Sequence, residues 1–178
     1  MTYDGEIVTL SRTPQDVSAL AEILVQTVAA GGSVSFMHPL DMDRARAFWE
    51  QSLTSGERGE RVVLGARSAD ALVGTVTLLL DFPENQPHRA EIAKLMTRPS
   101  ARGRGVARAL VHEAERIAVR RGRTLLTLDT AAEDGAAGFY ERLGYCRVGA
   151  IPDFALKPHG GLVATIIYYK RLPETSNG

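Results

Sequence analysis

The segment that most limits the folds open to this chain is Arg102-Gly103-Arg104-Gly105-Val106-Ala107. It follows a β-prone run at 90–97. It precedes an apolar stripe at helical spacing: Val106, Ala109, Leu110, Ala114, Ile117 and Ala118. Strand, glycine-rich turn and helix in that order belong to an α/β arrangement. The turn also has chemical content. Backbone N–H groups at a helix start lack partners inside the helix, and the helix dipole adds positive potential there. Small residues let a ligand come close to the main chain. Together these features make a cradle for a diphosphate. A plain strand-to-helix turn with solvated arginines is the alternative. Other phosphate motifs fit worse: a dinucleotide fingerprint needs a small residue where Arg108 stands, and no G-x-x-x-x-G-K-[ST] sequence occurs.

The remaining punctuation yields an element order. Residues 6–10 read as a strand. Thr13-Pro14-Gln15-Asp16 reads as a helix start, with Thr13 as cap, Pro14 in the first turn and Asp16 near the positive end of the dipole. Gly31-Gly32 stops that helix. A second helix is expected over 41–53. Runs 62–67 and 72–80 form a hairpin about Ser68-Ala69-Asp70, and 90–97 is the next strand. In the long helix, Arg108, His112, Glu115 and Arg116 fall outside the apolar stripe. Strand 124–130, a short helix over 134–143, and strands 145–151 and 165–171 complete the order β-α-α-β-β-β-α-β-α-β-β. Residues 152–161 read as a turn-rich connection.

Bulk properties narrow the classes. A chain of 178 residues suits one domain spanning 1–178, with 1–5 and 173–178 as flexible ends. Basic and acidic residues number 21 each, so no global field gathers nucleic acid or anionic membrane. No apolar stretch is long enough to span a bilayer. The acidic N-terminus does not resemble a signal peptide. One cysteine, Cys146, allows no internal disulfide and suits a reducing compartment, so the expectation is a cytoplasmic protein. The four histidines are scattered, and no metal site is indicated. A homodimer is compatible with these features.

Two blocks carry a family resemblance. Arg102-x-x-Gly105-x-Ala107 resembles the GNAT acetyl-CoA signature, Q/R-x-x-G-x-G/A, and 90–99 resembles the strand leading into it. Residues 137–145, Ala-Gly-Phe-Tyr-Glu-Arg-Leu-Gly-Tyr, resemble the second block of that family. The blocks stand in the right order and separation. A narrower likeness, in 31–42, Lys94-Leu95-Met96, 99–105 and Leu128-Asp129-Thr130, is to the tabtoxin resistance branch, which acetylates an amino-acid toxin. The resemblance implies a mixed, mostly antiparallel sheet flanked by helices, with acetyl-CoA in a cleft between two splayed strands. It also implies an N-acetyltransferase acting on a small-molecule amine, without metal.

The same resemblance assigns roles. The cofactor is expected against Leu95, Met96, Thr97, Arg102, Gly103, Arg104, Gly105, Val106, Ala107, Asp134 and Tyr140. Asp134 stands where the family often has asparagine, so a side-chain amide donor is lost. A main-chain N–H near 95–97 is expected to meet the reaction's oxyanion. Tyr140 is the expected acid for the CoA thiolate; its alternative is a core aromatic. An aliphatic amine titrates near 10.4, so a base is useful. Glu91, on the strand before the cradle, is the first choice, and Asp129, ending an apolar strand, is the second. Each also has a plain role, as surface glutamate or turn cap. Phe36, Asp153 and Phe154 are expected to line the acceptor pocket. Three rivals remain: Cys146 as a nucleophile, a nucleic-acid surface on the arginines of 98–123, and a non-catalytic acyl-CoA sensor.

Overall fold

The computed structural model describes residues 3–133 and 137–174. The first expected strand is β1 (Glu6–Thr9) and the first helix α1 (Pro14–Ala29). Thr13 caps α1 as expected, its hydroxyl accepting from the Asp16 N–H at 3.2 Å. Asp16 is held at 2.5 Å by Arg67. Gly31 takes φ 85° just beyond the helix, a conformation that disfavours any residue with a Cβ.

Helix α2 (Met42–Glu57) starts at Asp41, whose carboxylate accepts from the Arg44 N–H at 2.8 Å. It runs past the expected end at 53, because no left-handed breaker appears before Gly59, at φ 79°. Strands β2 (Arg61–Ser68) and β3 (Ala71–Leu79) form the expected hairpin. Then come β4 (Arg89–Thr97), a single 3-10 turn over Pro99–Ala101, α3 (Val106–Arg120), β5 (Leu125–Ala131), α4 (Ala137–Arg142), β6 (Cys146–Leu156) and β7 (Leu162–Arg171).

The strands form one seven-stranded sheet in the order β1-β2-β3-β4-β5-β7-β6. Every neighbouring pair is antiparallel except β4–β5. Each face of the sheet carries a core. Helix α3 packs Val106, Leu110, Val111, Ala114 and Ala118 on Val62, Leu64, Val76, Leu78, Ala90, Ile92, Leu126 and Leu128. Helices α1 and α2 pack Leu20, Leu24, Val28 and Trp49 with Val63, Leu72 and Met96 in a second cluster.

Two irregularities create the functional opening. The β4–β5 pairing covers only Arg89↔Leu125, Ala90↔Leu126 and Glu91↔Thr127. Beyond it the strands part, β4 continuing beside β3 and β5 beside β7. A bulge in β4 accompanies this parting. Thr77 faces Ala93 and Thr75 faces Met96, so Lys94 and Leu95 have no Cα partner on β3. Lys94 takes φ 53°. An extra residue inverts the alternation of a strand. Ala90 and Ile92 accordingly face the α3 core, whereas Met96 belongs to the α1–α2 core.

Two expectations need correction. Residues 152–156 are strand: β6 runs on to Leu156 through a register shift between Ile151 and Ala155, with Asp153 at φ 51°. An edge strand has one face of its hydrogen bonds unpaired, so Pro152 costs it little there. Glu115 is also not on the open face of α3. It is 9% exposed, because Lys170 reaches its carboxylate at 2.8 Å.

Candidate active site

The parted strands enclose a branched cleft. One arm, about 400 Å³, is lined by Glu91, Ala93, Lys94, Asp129, Ala131, Phe154, Leu156 and Thr165, among others. The other arm, about 490 Å³, runs past Gly31, Met96 and Thr97 towards Arg102 and Ala107 at the start of α3. Ser33, Val34, Leu95, Thr130 and Tyr140 line both arms. Tyr140 therefore stands at the junction.

The α3 end of the cleft opens on a glycine turn and a helix start. Gly103 and Gly105 take φ 74° and 81°, so two left-handed residues turn the chain into the helix. Gly105 is the N-cap, and no side chain caps it. The first helical bond is from the Ala109 N–H to the Gly105 carbonyl at 3.0 Å, which leaves the preceding helical amides without partners in the helix. A Cβ at Gly103 would meet nothing within 4 Å, so that side of the loop is open. Arg102 lines the arm, and Arg104 is exposed beside it. Val106 is buried under the sheet and anchors the helix start. Gly74 permits that seating, because a Cβ there would stand 2.9 Å from Val106 Cγ1.

An aromatic cluster backs the junction. Tyr140 is 6% exposed, its ring edge-on to Phe139 and Tyr145 at centroid distances of 5.1 and 5.6 Å. Burial first, and the Asp129 charge second, raise its phenol above the ordinary value of 10. It stays protonated across the neutral range and is a donor.

The arm away from α3 holds two carboxylates. Glu91 lies on the last rung of the β4–β5 ladder, opposite Thr127. Asp129 follows two residues further along β5, on the same face of that strand as Thr127. Burial raises the Glu91 carboxyl above its usual value, opposed by Arg89 and reinforced by Asp129. Arg89 stands 3.5 Å from the Glu91 carboxylate and donates to Thr127 Oγ1 at 3.0 Å. A hydroxyl holds Asp129: Thr165 Oγ1 donates to Oδ2 at 2.8 Å.

Residues 30–145 match the acetyltransferase (GNAT) family model. The chain belongs to the GNAT acetyltransferase family. It is 42% identical over 57 residues to an N-acetyltransferase of Methanocaldococcus jannaschii, covering 32% of this chain and 25% of that protein. With N-alpha-acetyltransferase 30 of Schizosaccharomyces pombe it shares 34% identity over 79 residues, 44% of this chain and 53% of that one. The chain thus spans about a quarter and about half of the curated relatives it matches. The yncA structure from Salmonella typhimurium, solved with its cofactor acetyl-CoA, superposes with a TM-score of 0.75 at 17% identity, covering 98% of each chain. The GNAT fold expected from the two sequence blocks is the fold observed.

The GNAT cleft gathers most of the expected residues but not all. Glu91, Asp129, Tyr140, Leu95, Met96, Thr97, Arg102, Ala107 and Phe154 line it. Phe36 does not: its ring packs edge-on to Phe48 at 5.1 Å, towards α2, while Ser33, Val34 and Ser35 face the cleft. Asp153 is exposed on β6 and is not among the lining residues. Asp134 lies outside the described residues. Cys146 is exposed at the start of β6. Of the eight arginines of 98–123, four are bound to acids or carbonyls: Arg98 binds Glu22 at 2.8 Å and the Leu72 carbonyl, Arg116 and Arg120 bind Glu113, and Arg123 binds the carbonyls of Pro87 and Leu80. Among the described residues, no cluster of three or more His, Cys, Asp or Glu is placed to hold a metal. No described helix is long and apolar enough to cross a membrane.

Sequence reasoning missed Lys94, Arg89 and Thr165; the likeness places the acceptor pocket beside the loop 33–40, but singles out Phe36 there rather than Ser33, Val34 and Ser35. One signal for Lys94 was available. In Ala90-Glu91-Ile92-Ala93-Lys94-Leu95-Met96, strict alternation would bury the lysine beside Ala90 and Ile92. A charge at an inward position marks a bulge or a strand boundary.

Proposed function

We propose that this protein transfers the acetyl group of acetyl-CoA to the amine of a small molecule, by direct attack in a ternary complex. The observation that carries this reading is the placement of Tyr140 between an anion-binding helix start and an arm bearing Glu91 and Asp129. Acetyl-CoA supplies an activated thioester and a diphosphate. The open amides of α3, with Arg102 and Arg104, fit the diphosphate. The left-handed glycines admit it to the backbone.

The chain's own groups then cover each charge change. Glu91, held by burial above the usual carboxyl range, accepts the proton of the acceptor ammonium, with Asp129 beside it as second carboxylate. The amine nitrogen bonds to the acetyl carbon. Main-chain N–H groups at the β4 bulge, around Leu95, stabilise the resulting oxyanion. The C–S bond breaks, the Tyr140 hydroxyl gives its proton to the sulfur, and the extra proton still on the attacking nitrogen passes through solvent to restore the phenol. No residue needs to carry the acetyl group, so a covalent enzyme intermediate is not part of this path. The likeness to the tabtoxin resistance branch supports an amino-acid-like toxin or antibiotic as acceptor.

The test is direct. Wild-type protein should bind acetyl-CoA in calorimetry and release CoA when amines are supplied. Binding without release of CoA, under single-turnover conditions with amines, amino acids and aminoglycosides, would favour an acyl-CoA sensor.

A further inference from the structure

Four charged side chains stand about the arm away from α3. Arg89 lies by Glu91 and bonds Thr127, whereas Asp129 and Lys94 each bond a neutral hydroxyl, that of Thr165 and that of Ser35. Of the two cations, Lys94 is the one without a carboxylate partner among the described residues. Among the described residues its ammonium makes no ion pair within 4 Å, and its hydrogen bond goes to a neutral group, Ser35 Oγ at 2.9 Å. An ammonium has three donors; with one on Ser35 and the nitrogen 6.0 Å over the Phe48 ring, the others are shared between that ring and the cleft. The side chain is half-buried, and lost hydration lowers its pKa from 10.5, against the charges of Asp129 and Glu91, which act on it from beyond ion-pair distance. A cation in that setting is stabilised chiefly by an opposite charge.

Backbone geometry points the same way. Lys94 and Ser35 are both non-glycine residues at positive φ, 53° and 71°. Such conformations are uncommon for residues with a Cβ and persist where surrounding contacts impose them. Here the two stand on facing walls, one on the bulge of β4 and one between α1 and α2. A side-chain bond joins them, fixing the position of the ammonium.

The geometry points to an anion subsite at Lys94, oriented by Ser35, that receives a carboxylate carried by the acceptor while the acceptor amine lies towards Glu91 and Asp129. The acceptor class is then a zwitterion, an amino acid or an analogue of one, in preference to a polyamine, an aminoglycoside or a peptide N-terminus. This inference rests on the acetyltransferase reading and deepens it.

The experiment compares acceptors that differ only in the anion. Release of CoA is followed with a pool of common amino acids and with the matching pool of their carboxamides. Wild type should prefer the acids by about tenfold or more, the effect of one charge-assisted hydrogen bond. Lys94→Met should erase that preference, and Lys94→Arg should restore part of it. Ser35→Ala keeps the charge but frees it, so it should lower the ratio by a smaller factor. Ser35→Ala also provides the answer if Lys94→Met does not fold by circular dichroism. Equal use of both pools by wild type, transfer to neither pool, or a preference that survives Lys94→Met overturns the subsite. Equal use of both pools, or a preference that survives Lys94→Met, leaves the acetyltransferase reading intact; that reading fails separately if wild type does not bind acetyl-CoA or releases no CoA with any amine, amino acid or aminoglycoside.

Discussion

Thr165 and Asp129 meet diagonally across the β5–β7 ladder: Thr165 pairs in register with Ala131, yet its Oγ1 donates to Asp129 Oδ2 at 2.8 Å. The same hydroxyl lies 3.1 Å from the Thr130 carbonyl, so its single proton is shared. The contact occupies one oxygen of Asp129 and leaves the other for the cleft. Thr165→Val keeps the shape and removes the donor. It should cut kcat/KM about tenfold, and should add little to Asp129→Asn, since both disable one unit. Steady-state kinetics of the two single variants and the double variant decide it; full additivity would separate Thr165 from Asp129.

Tyr140→Phe retains the ring and its aromatic neighbours but removes the proton donor. Turnover should fall about 10²–10⁴-fold, the size of a general-acid contribution, with acetyl-CoA affinity retained. Because the phenol is raised above 10, wild type should show no loss of rate from Tyr140 ionisation between about pH 7 and pH 10. Near-normal turnover in a folded Tyr140→Phe protein would remove the tyrosine from the acid role.

Glu91→Gln bears on both rate and stability. The carboxyl is raised on folding, so its favourable contribution is full below the ordinary value of 4.5 and is lost as pH rises through the raised one. Glutamine has no such loss. The variant should therefore gain melting temperature relative to wild type as pH rises from the ordinary value of 4.5 through the raised one. Its rate should lose the low-pH limb that the carboxylate provides. A melting difference that does not vary with pH would show that Arg89 offsets the burial completely.

Gly105→Val places a β-branched side chain at φ 81°. The strain should cost about 1–3 kcal/mol of stability, and the new methyl groups should block approach to the α3 amides. Acetyl-CoA affinity by calorimetry should drop more than the melting temperature alone accounts for. Wild-type affinity in this variant would remove the cradle from the mechanism.

Cys146→Ser should leave the acetyl-transfer rate within about twofold of wild type, as expected for a surface substitution remote from the cleft lining. Intact-mass spectrometry during turnover should find no acetylated protein; a kinetically competent acetyl-enzyme would replace direct attack.

Local rules located the elements well where a cap or breaker stands in the chain, as at Thr13, Asp41 and Gly31. They located the cradle because Gly103, Gly105 and the helix stripe are contiguous. They failed where the deciding contact is distant. Glu115 looks solvent-facing until Lys170 is brought to it from 55 positions away. Pro152 reads as a loop until β6 is known to be an edge. Phe36 and Ser35 are adjacent, and which of them faces the cleft depends on Phe48 and Lys94, neither of which is near in sequence. The carboxylates came out of family likeness and strand position; the lysine opposite them required the bulge.

The three rungs joining β4 to β5 also set how the molecule bears load. On one side of that seam lie four antiparallel strands, on the other three, and each set is internally laddered over longer runs. Opening fluctuations should therefore concentrate at the seam, where the fewest inter-strand bonds must break. A chain seated in the wedge acts as a splint between the two sets. Amide hydrogen exchange at 92–97 and 128–131 should slow together when the wedge is filled, while exchange in the β2–β3 hairpin stays as it was.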